Sequence, residues 1–577
     1  MAEFMSKSDK DFFLRRLSGM DIERQSFINH WKELSENVDP RRGQFFSQER
    51  NKGEKRHGKI INSRGTQAHR ASSAGMFAGA VSPTRRWFKF ETLDPDMMNT
   101  FAVKEWAYKC ENLIFAILLD SNFYASAANT LAESILFATG AMSQVDDFDH
   151  VANFYPHTVG SYYISQNDKC EVDTFVSVRD RTVKQIVDQF GLDNVSLNIK
   201  NLYDTGDYDK WYSICQFIDP NPEYNAAKAD QDRSMLFRST WFELGNISGS
   251  SSAGVTSGAT ITDNKFLKRG GFQEFPIHCF RWATTGDDIY GTNSPGMTAL
   301  GDIKGLQLME KRTAQALDKL INPPLQGPPS LKNVPINSLP GGVTLLDSDM
   351  NKEGVRPLYQ FEPRIQEMRE SMRQVEMRIN EAFFVDLFMA ITNMEGVQPK
   401  NQLELSQRNA ERLLMLGPPL ERLQQDFLGK IVQRTFKQAM RAGILPPPPP
   451  ELQGQALNVS FVSALAQAQR VQEVGMIERV ASFIGSLSQI KPEALDKFNS
   501  DEAIEKYSQF VGAPPSIIVP QEQADAVRQQ RAQMQQQQME AAQAQQQSQS
   551  LGNVASAAKD AAAASDVINQ GSQTVGG

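Results

Sequence analysis

The spacing of apolar residues changes character several times along the chain. Residues 6–37 carry Phe13, Leu17, Phe27, Trp31 and Leu34 among polar neighbours, a spacing of three and four that predicts one amphipathic helix. A basic, glycine-dotted stretch follows, Arg41-Arg42-Gly43 and then NKGEKRHGKIINSRG, and reads as loop. Over 66–140 the pattern alternates alanine-rich helical stretches with breaks at Pro83 and Pro95, and Ala102–Leu119 and Ala125–Ala138 are predicted to be buried helices. From about 150 to 290 the segments shorten. SYYIS, DTFVSVR and STWFEL are rich in β-branched and aromatic residues and read as strands. Thr182–Phe190, ending at Gly191, is predicted as a helix among them, and Ser248–Gly258 as a flexible Gly/Ser loop or hairpin tip.

The pattern from Tyr290 to Pro450 is rod, insert, rod, loop, rod. Thr298–Ile321 places Ile303, Leu306, Met309, Leu317 and Leu320 near one helical face, and Asn322-Pro323-Pro324 stops it. Such a helix is about 35 Å long. The insert Leu325–Phe361 is dense in Pro and Gly, with two short strand-like runs, VTLLD and PLYQF. A second helix is predicted over Arg364–Ile391, with Ile365, Met368, Met372, Val375, Ile379 and Phe383 on its stripe. Asn393–Gln402 is a polar break. The third helix carries Leu413, Leu416, Leu420, Leu423, Phe427 and Ile431. Gly417, Pro418 and Pro419 interrupt that stripe and predict a kink. Another helical unit is expected over about 460–512. Beyond Gln521 the chain is Gln/Ala/Ser-rich without an apolar stripe, which predicts a helical start and a disordered end. The fold class is therefore α+β, mainly helical.

Composition narrows the partners. The 577 residues suggest about four structural units. The net charge of −8 lacks the basic excess of a tight nucleic-acid binder. The four cysteines, Cys110, Cys170, Cys215 and Cys279, are scattered, which argues for reduced thiols. The start MAEFMSKSDKDFF has no apolar signal region, and the runs LIFAILL and AFFVDLFMAI are too short to span a bilayer. No membrane association is expected.

The search for chemistry yields weak candidates. GEKRHGKI, Gly53–Ile60, has phosphate-loop spacing but places Ile60 where a Ser or Thr must hold magnesium, and no apolar strand precedes it. A surface loop is the better reading. None of the six histidines forms H-x-x-x-H. His278 and Cys279 are neighbours on a strand and point to opposite faces. Asp146-Asp147 and Asp287-Asp288 lack a third ligand at useful spacing and read as solvated or capping residues. The basic loop Lys52–Arg70 lacks aromatic stacking partners.

Several segments then resemble one family. They are KIINSRGTQAHRASSAGMFAGAVSPTRRWFKF, SPGMTALGDIKGLQLMEKRTAQALDKLINPP, LKNVPINSLPGGVTLLD, INEAFFVDLF, ERLLMLGPPLERLQQDFLGKIVQRTFKQAMRAGILPPPP and SALAQAQR, spread over about residues 58–470. With the order of elements, they resemble the head-to-tail connecting (portal) proteins of short-tailed, T7-like bacteriophages. The resemblance implies a ring, usually of twelve subunits, at one capsid vertex, built from wing, stem, clip and crown. By order, 1–295 corresponds to wing, 296–323 to the first stem helix, 324–362 to clip and 363–392 to the second stem helix. Residues 393–404 correspond to the tunnel loop, 405–450 to the kinked long helix, 451–515 to crown and 516–577 to a low-complexity tail. The tunnel loop would bring Gln398, Lys400, Asn401 and Gln402 to the DNA channel. The clip would offer Lys332, Asn333 and Asn337 for docking, and the kink would fall at Gly417, Pro418 and Pro419.

The same resemblance implies a structural protein of the virion, without catalytic residues, metal or cofactor, made in the host cytoplasm. Implied partners are further copies of the chain, double-stranded DNA passing without sequence specificity, the terminase large subunit, tail adaptor or nozzle proteins, and scaffold and capsid proteins. An acidic chain suits a channel that must not grip phosphate. Two other readings stand beside it: a scaffold or internal core protein of a virion, and a nucleotide-using enzyme built on GEKRHGKI.

Overall fold

A computed structural model describes residues 5–45, 53, 55–84, 86–92, 100–228, 233–244, 261–327, 336–337, 356–357, 364–392, 416–452, 457–462, 477–487, 498–511, 519 and 521–571. By contact the chain divides into two compact units, Met1–Met97 with Trp106–Met476, and Met98–Glu105 with Ile477–Gly577.

The first unit opens with α1, Lys7–Asn37, close to the predicted limits. A capping box starts it: Asp9 N–H donates to Ser6 Oγ at 3.1 Å, and Ser6 N–H donates to Asp9 Oδ2 at 3.2 Å. Then come α2 (Arg64–Ala80), β1 (Phe88–Thr92), α3 (Phe101–Asp120) and α4 (Phe123–Phe137). α4 is buried on every side from Thr130 to Phe137, while Ala125 and Asn129 of its first half are exposed, and Ala138 closes it in the left-handed region at φ 62°. The strands follow as β2 (Thr139–Asp147), β3 (Val151–His157), β4 (Tyr162–Gln166) and β5 (Val172–Thr182). Next are α5 (Val183–Phe190), α6 (Leu197–Asp204), β6 (Trp211–Pro220), β7 (Phe237–Leu244), β8 (Ile261–Phe272) and β9 (Ile277–Arg281).

Strands β4 to β8 form an antiparallel five-stranded sheet in sequence order. Side chains alternate across it. Cys215 and Phe217 of β6 face α1, joining Phe13, Leu17 and Met20, while Ile214 faces the α5–α6 side with Ile186 and Phe190. A three-stranded sheet, β3-β2-β9, packs against α4.

After β9 the chain enters α7 (Pro295–Ile321), then β10 (Leu325–Gln326) and β11 (Arg356–Pro357). These two short strands pair antiparallel and bring the ends of the insert together. The single helix expected over Arg364–Ile391 is two: α8 (Ile365–Ala382) and α9 (Val385–Thr392). The break lies at Phe384, whose φ is 55°. It lets Phe383 bury completely, 6.3 Å from the His69 ring, and lets α9 lie on α2. The approach there is close enough that a Cβ on Gly75 would stand 2.4 Å from Phe388 Cβ.

Next are α10 (Gly417–Arg422), a π-helical segment at Leu423–Leu428, α11 (Gly429–Arg441) and β12 (Leu457–Phe461). β12 pairs antiparallel with β1, from Phe88↔Phe461 to Thr92↔Leu457. β12 reaches only the first residues of the helical unit expected over about 460–512, and the described stretches 477–487 and Ser500–Val511 inside that span are helical.

The second unit holds α12 (477–487), α13 (Ser500–Val511) and α14 (Gln521–Gly571). α14 overturns the expectation of a disordered end. At 51 residues it is about 75 Å long. The many Ala and Gln residues favour helix strongly enough to need no apolar stripe. Arg528 donates to both carboxylate oxygens of Asp501 at 2.6 Å.

Candidate functional site

The α7–α8 hairpin is the feature that sequence reasoning singled out, and its construction starts at a cap. Ser294 Oγ accepts from Met297 N–H at 3.2 Å and donates to Leu136 O at 2.9 Å, so the residue that starts α7 also ties it to α4. Pro295 takes the first helical position, where no backbone donor is needed. α7 then buries Ala299, Leu300, Ile303 and Leu306, and α8 buries Met372, Val375 and Ile379. The two stripes pack against each other. Arg378 reaches across to Asp302 at 2.9 Å.

Polar contacts fix the root of this hairpin. Gln307 Oε1 accepts from Ile61 N–H at 2.6 Å and Asn62 N–H at 2.8 Å, and its Nε2 donates to Asn62 O at 2.7 Å. Asn62 Nδ2 donates to Glu376 at 3.2 Å, and Arg64 Nε donates to Asn380 at 2.9 Å. Lys304 pairs with Glu33 of α1. The segment 61–64 therefore straps both helices to the start of α2. Beside these contacts Leu308 and Met377 are exposed, and towards the far end so are Leu320, Ile321 and Leu325.

The predicted site residues fall unevenly. Asn337 is exposed in the insert. Lys332, Asn333, Gln398, Lys400, Asn401 and Gln402 lie outside the described residues, as does the run VTLLD. Gly417, Pro418 and Pro419 fill the first turn of α10, with Leu416 as its cap. The chain just before Leu416 is outside the described residues. The distortion visible in this helix is the π segment: Gly429 N–H donates to Gln424 O, five residues back. A Cβ at Gly429 would stand 2.9 Å from that same oxygen, so glycine is what lets the wide turn close. That glycine was the overlooked sequence signal.

A buried polar chain anchors α11 to the three-stranded sheet, and periodicity gave no hint of it. His278 Nε2 donates to Gln144 Oε1 at 2.9 Å. Gln144 Nε2 donates to Thr435 Oγ1 at 3.0 Å and Gln438 Oε1 at 2.6 Å, and Gln438 Nε2 donates to Asp146 at 2.5 Å. Burial holds the His278 pKa well below the usual histidine value, so the ring is neutral. Nearby, Arg434 donates to Glu274 O at 2.9 Å and pairs with the Glu274 carboxylate at 3.2 Å.

The weak chemical candidates resolve into structure. His57–Lys59 forms a 3₁₀ turn, and Lys59 pairs with Glu36 at 2.6 Å. Asp288 accepts from Thr285 N–H at 3.2 Å, a local cap, and Asp147 accepts from Asp149 N–H at 3.3 Å. His278 and Cys279 sit side by side on β9, both buried. Among the described residues no group of three His, Cys, Asp or Glu is placed to hold a metal, and no helix is long and apolar enough to cross a membrane. Burial raises Glu111 and Glu133 to about 7. Each carboxyl accepts one backbone N–H, Phe90 for Glu111 and Val159 for Glu133.

Comparison with known proteins adds three findings. A family model described as bacteriophage head to tail connecting protein matches residues 11–519. The chain is 38% identical over 528 residues to the portal protein of Salmonella phage epsilon15, covering 92% of each chain. It is 37% identical over 527 residues to the probable portal protein of Bordetella phage BPP-1, covering 91% of this chain and 92% of that one. Among solved structures it is similar to a chain from the neck of an empty gene transfer agent particle. That match has a TM-score of 0.32 and 11% identity, over 72% of this chain and 86% of the other. A chain from the virion of a native gene transfer agent particle matches with a TM-score of 0.31 and 12% identity, over 71% of this chain and 94% of the other.

Proposed function

The chain belongs to the bacteriophage head to tail connecting protein family and serves as a phage portal, and from that premise we propose that it works as a homo-oligomeric ring, of about twelve copies, at the capsid vertex. In this reading α7 and α8 are the stem, the insert between them is the clip, and the sheets and helices of 1–295 form the wing. Residues 393–404 form a loop at the channel, with Gln398, Lys400, Asn401 and Gln402 towards the DNA. The helix behind that loop bends at Gly417, Pro418 and Pro419. Residues 451–515 contribute the crown. The clip residues Lys332, Asn333 and Asn337 meet the terminase large subunit during packaging and tail adaptor or nozzle proteins afterwards. Scaffold and capsid proteins surround the wing, and the virion head–tail junction is where the ring resides.

The α7–α8 hairpin carries this reading. Its root is strapped by Gln307, Asn62 and Arg64, its insert is pinched by the β10–β11 pair, and Leu308 and Met377 near the root and Leu320 and Ile321 at the far end are exposed. A ring would cover such residues with neighbouring copies. The Arg- and Glu-rich outer faces of α8 would supply contacts between those copies. The protein itself does no chemistry in this reading, since Lys59 of the phosphate-loop-like run is paired with Glu36 in an exposed turn.

Negative-stain imaging of the purified full chain tests the proposal. The expected result is rings with a central hole of duplex width. Monomers at every concentration would overturn it. ATP hydrolysis by the purified protein that Lys59→Ala abolishes would favour the enzyme reading instead.

A further inference from the structure

We propose that neighbouring copies of this chain lock together by a peg and a socket, the acidic tip of the β2–β3 hairpin of one copy entering an arginine-rimmed cleft of the next. The inference rests on the ring reading and names the contact that would build it.

The peg is the turn from Asp146 to Asp149. Phe148 at its tip is fully exposed, at 109% of its reference area, while Phe154 of β3 is buried. Asp147 and Asp149 flank it, and at its base His150 meets Asp120 at 3.0 Å. The tip therefore presents one exposed aromatic ring between the carboxylates of Asp147 and Asp149.

The socket is a cleft of about 780 Å³ bounded by the loop after α1, by α2 and α4, and by the end of β3. This is the size range of pockets that enclose small organic ligands, ample for one aromatic side chain. Its rim carries Arg41, Arg42, Arg70 and Asn129, and Phe77 and Ala128 give it an apolar wall. Asp39 also lines it, but is paired with Arg42 at 3.2 Å. Arg41 and Arg70 are exposed, so their positive charge reaches the surface at the mouth of the cleft. The chemistry that fits is an aromatic ring carried between two carboxylates, and the β2–β3 tip has that form.

The topology decides which copy supplies it. β3 starts beside the peg at Val151, and its last residues, Pro156 and His157, line the socket with Thr158. Seven strand residues separate the two by about 23 Å, and pairing with β2 holds β3 along that whole length. The peg cannot reach the socket of its own chain. Two complementary surfaces on opposite ends of one rigid element make a head-to-tail contact, which closes into a ring when the rotation per copy allows.

Two full-length charge-reversed variants test this. One carries Asp147→Arg and Asp149→Arg, the other Arg41→Glu and Arg70→Glu. Alone, each presents like charge on both halves of the contact, and the ring fraction in negative stain is expected to fall about tenfold or more. Mixed in equal amounts, each peg meets a complementary socket in an alternating ring, and rings are expected to return. That recovery also shows that both variants are folded. Rings formed by either variant alone at the wild-type level overturn the proposal. So does a mixture that stays unassembled although both variants keep the wild-type circular dichroism. In both cases the ring reading survives if the wild type forms rings, whereas a monomeric wild type removes both. Should either variant misfold, Phe148→Cys with Asn129→Cys in a Cys170→Ser background, which removes the exposed native thiol, and a short bis-maleimide give a second readout. A ladder of cross-linked oligomers, absent from each single-cysteine variant, is expected, and its absence overturns the contact.

Discussion

α1 and α8 are both long amphipathic helices of the first unit, and they are fastened by opposite means. α1 sinks Phe13, Leu17 and Met20 among Phe217, Phe242 and Phe266 of the five-stranded sheet. It also buries Arg24, whose guanidinium donates to Gly160 O at 2.7 Å and to Tyr163 OH at 2.8 Å. α8 buries only Met372, Val375 and Ile379 and takes the rest of its hold from half-exposed polar contacts at its root. Apolar burial of the first kind fixes a base. Polar contacts at the surface fix a direction at much lower cost to move, which suits a lever better than a foundation.

Phe13→Ala should break the base. Removing a buried aromatic ring costs about 3–5 kcal/mol, read as a lower midpoint in denaturant melts. A second effect comes from α4, which lies against both regions and carries Glu133. Burial raises that carboxyl from 4.5 in the unfolded chain to about 7 in the folded one. The folded state therefore keeps a proton that the unfolded state has lost, and stability falls as pH rises from about 4.5 to 7. Glu133→Gln should match the wild type below pH 4.5 and exceed it by ~3 kcal/mol above pH 7, as melts across pH would show. His157 and His278, held neutral by burial, act in the opposite sense below pH 6.5 in both proteins, so the difference between them isolates Glu133.

The lever gives smaller numbers. Gln307→Ala leaves the Ile61 and Asn62 amides without their acceptor, and should cost about 1–3 kcal/mol. Hydrogen exchange at those two amides should speed up, while the sheet amides under α1 stay protected. Arg378→Ala removes one exposed pair with Asp302 and should cost less than about 1 kcal/mol, an effect that salt erases. If Arg378→Ala proved as damaging as Phe13→Ala, the contrast between base and lever would be wrong.

What the sequence made legible follows the same division. α1, the buried α4, the strands β4, β5 and β7, and α7 are apolar stripes or runs, and periodicity locates them within a few residues. The break at Phe384 was invisible because Phe383 continues the α8 stripe. Only the chance to bury that ring beside His69, while α9 settles on Gly75, turns the chain there. The Gln144–Gln438 chain was invisible because its members are polar residues whose partners lie about 290 positions away. Family resemblance, carried by segments such as LKNVPINSLPGG and GPPLERLQQDFLGK, pointed to the function where chemistry did not. Gln307, the residue that holds the hairpin's root, is polar and lies on no apolar stripe, so periodicity gives no sign of its partners about 245 positions away.

The β1–β12 pairing has a consequence for how the chain is made. Phe88 faces Phe461, so the partner of β1 is synthesised about 370 residues after it. At 5–20 residues per second, that leaves an apolar strand edge waiting roughly 20–75 s on the ribosome. Bare edges recruit other strands, and chains emerging from the same message are the nearest source. The first unit can therefore close correctly only after most of the chain has left the ribosome, and an exchange of β12 between nascent neighbours is the mistake its topology invites.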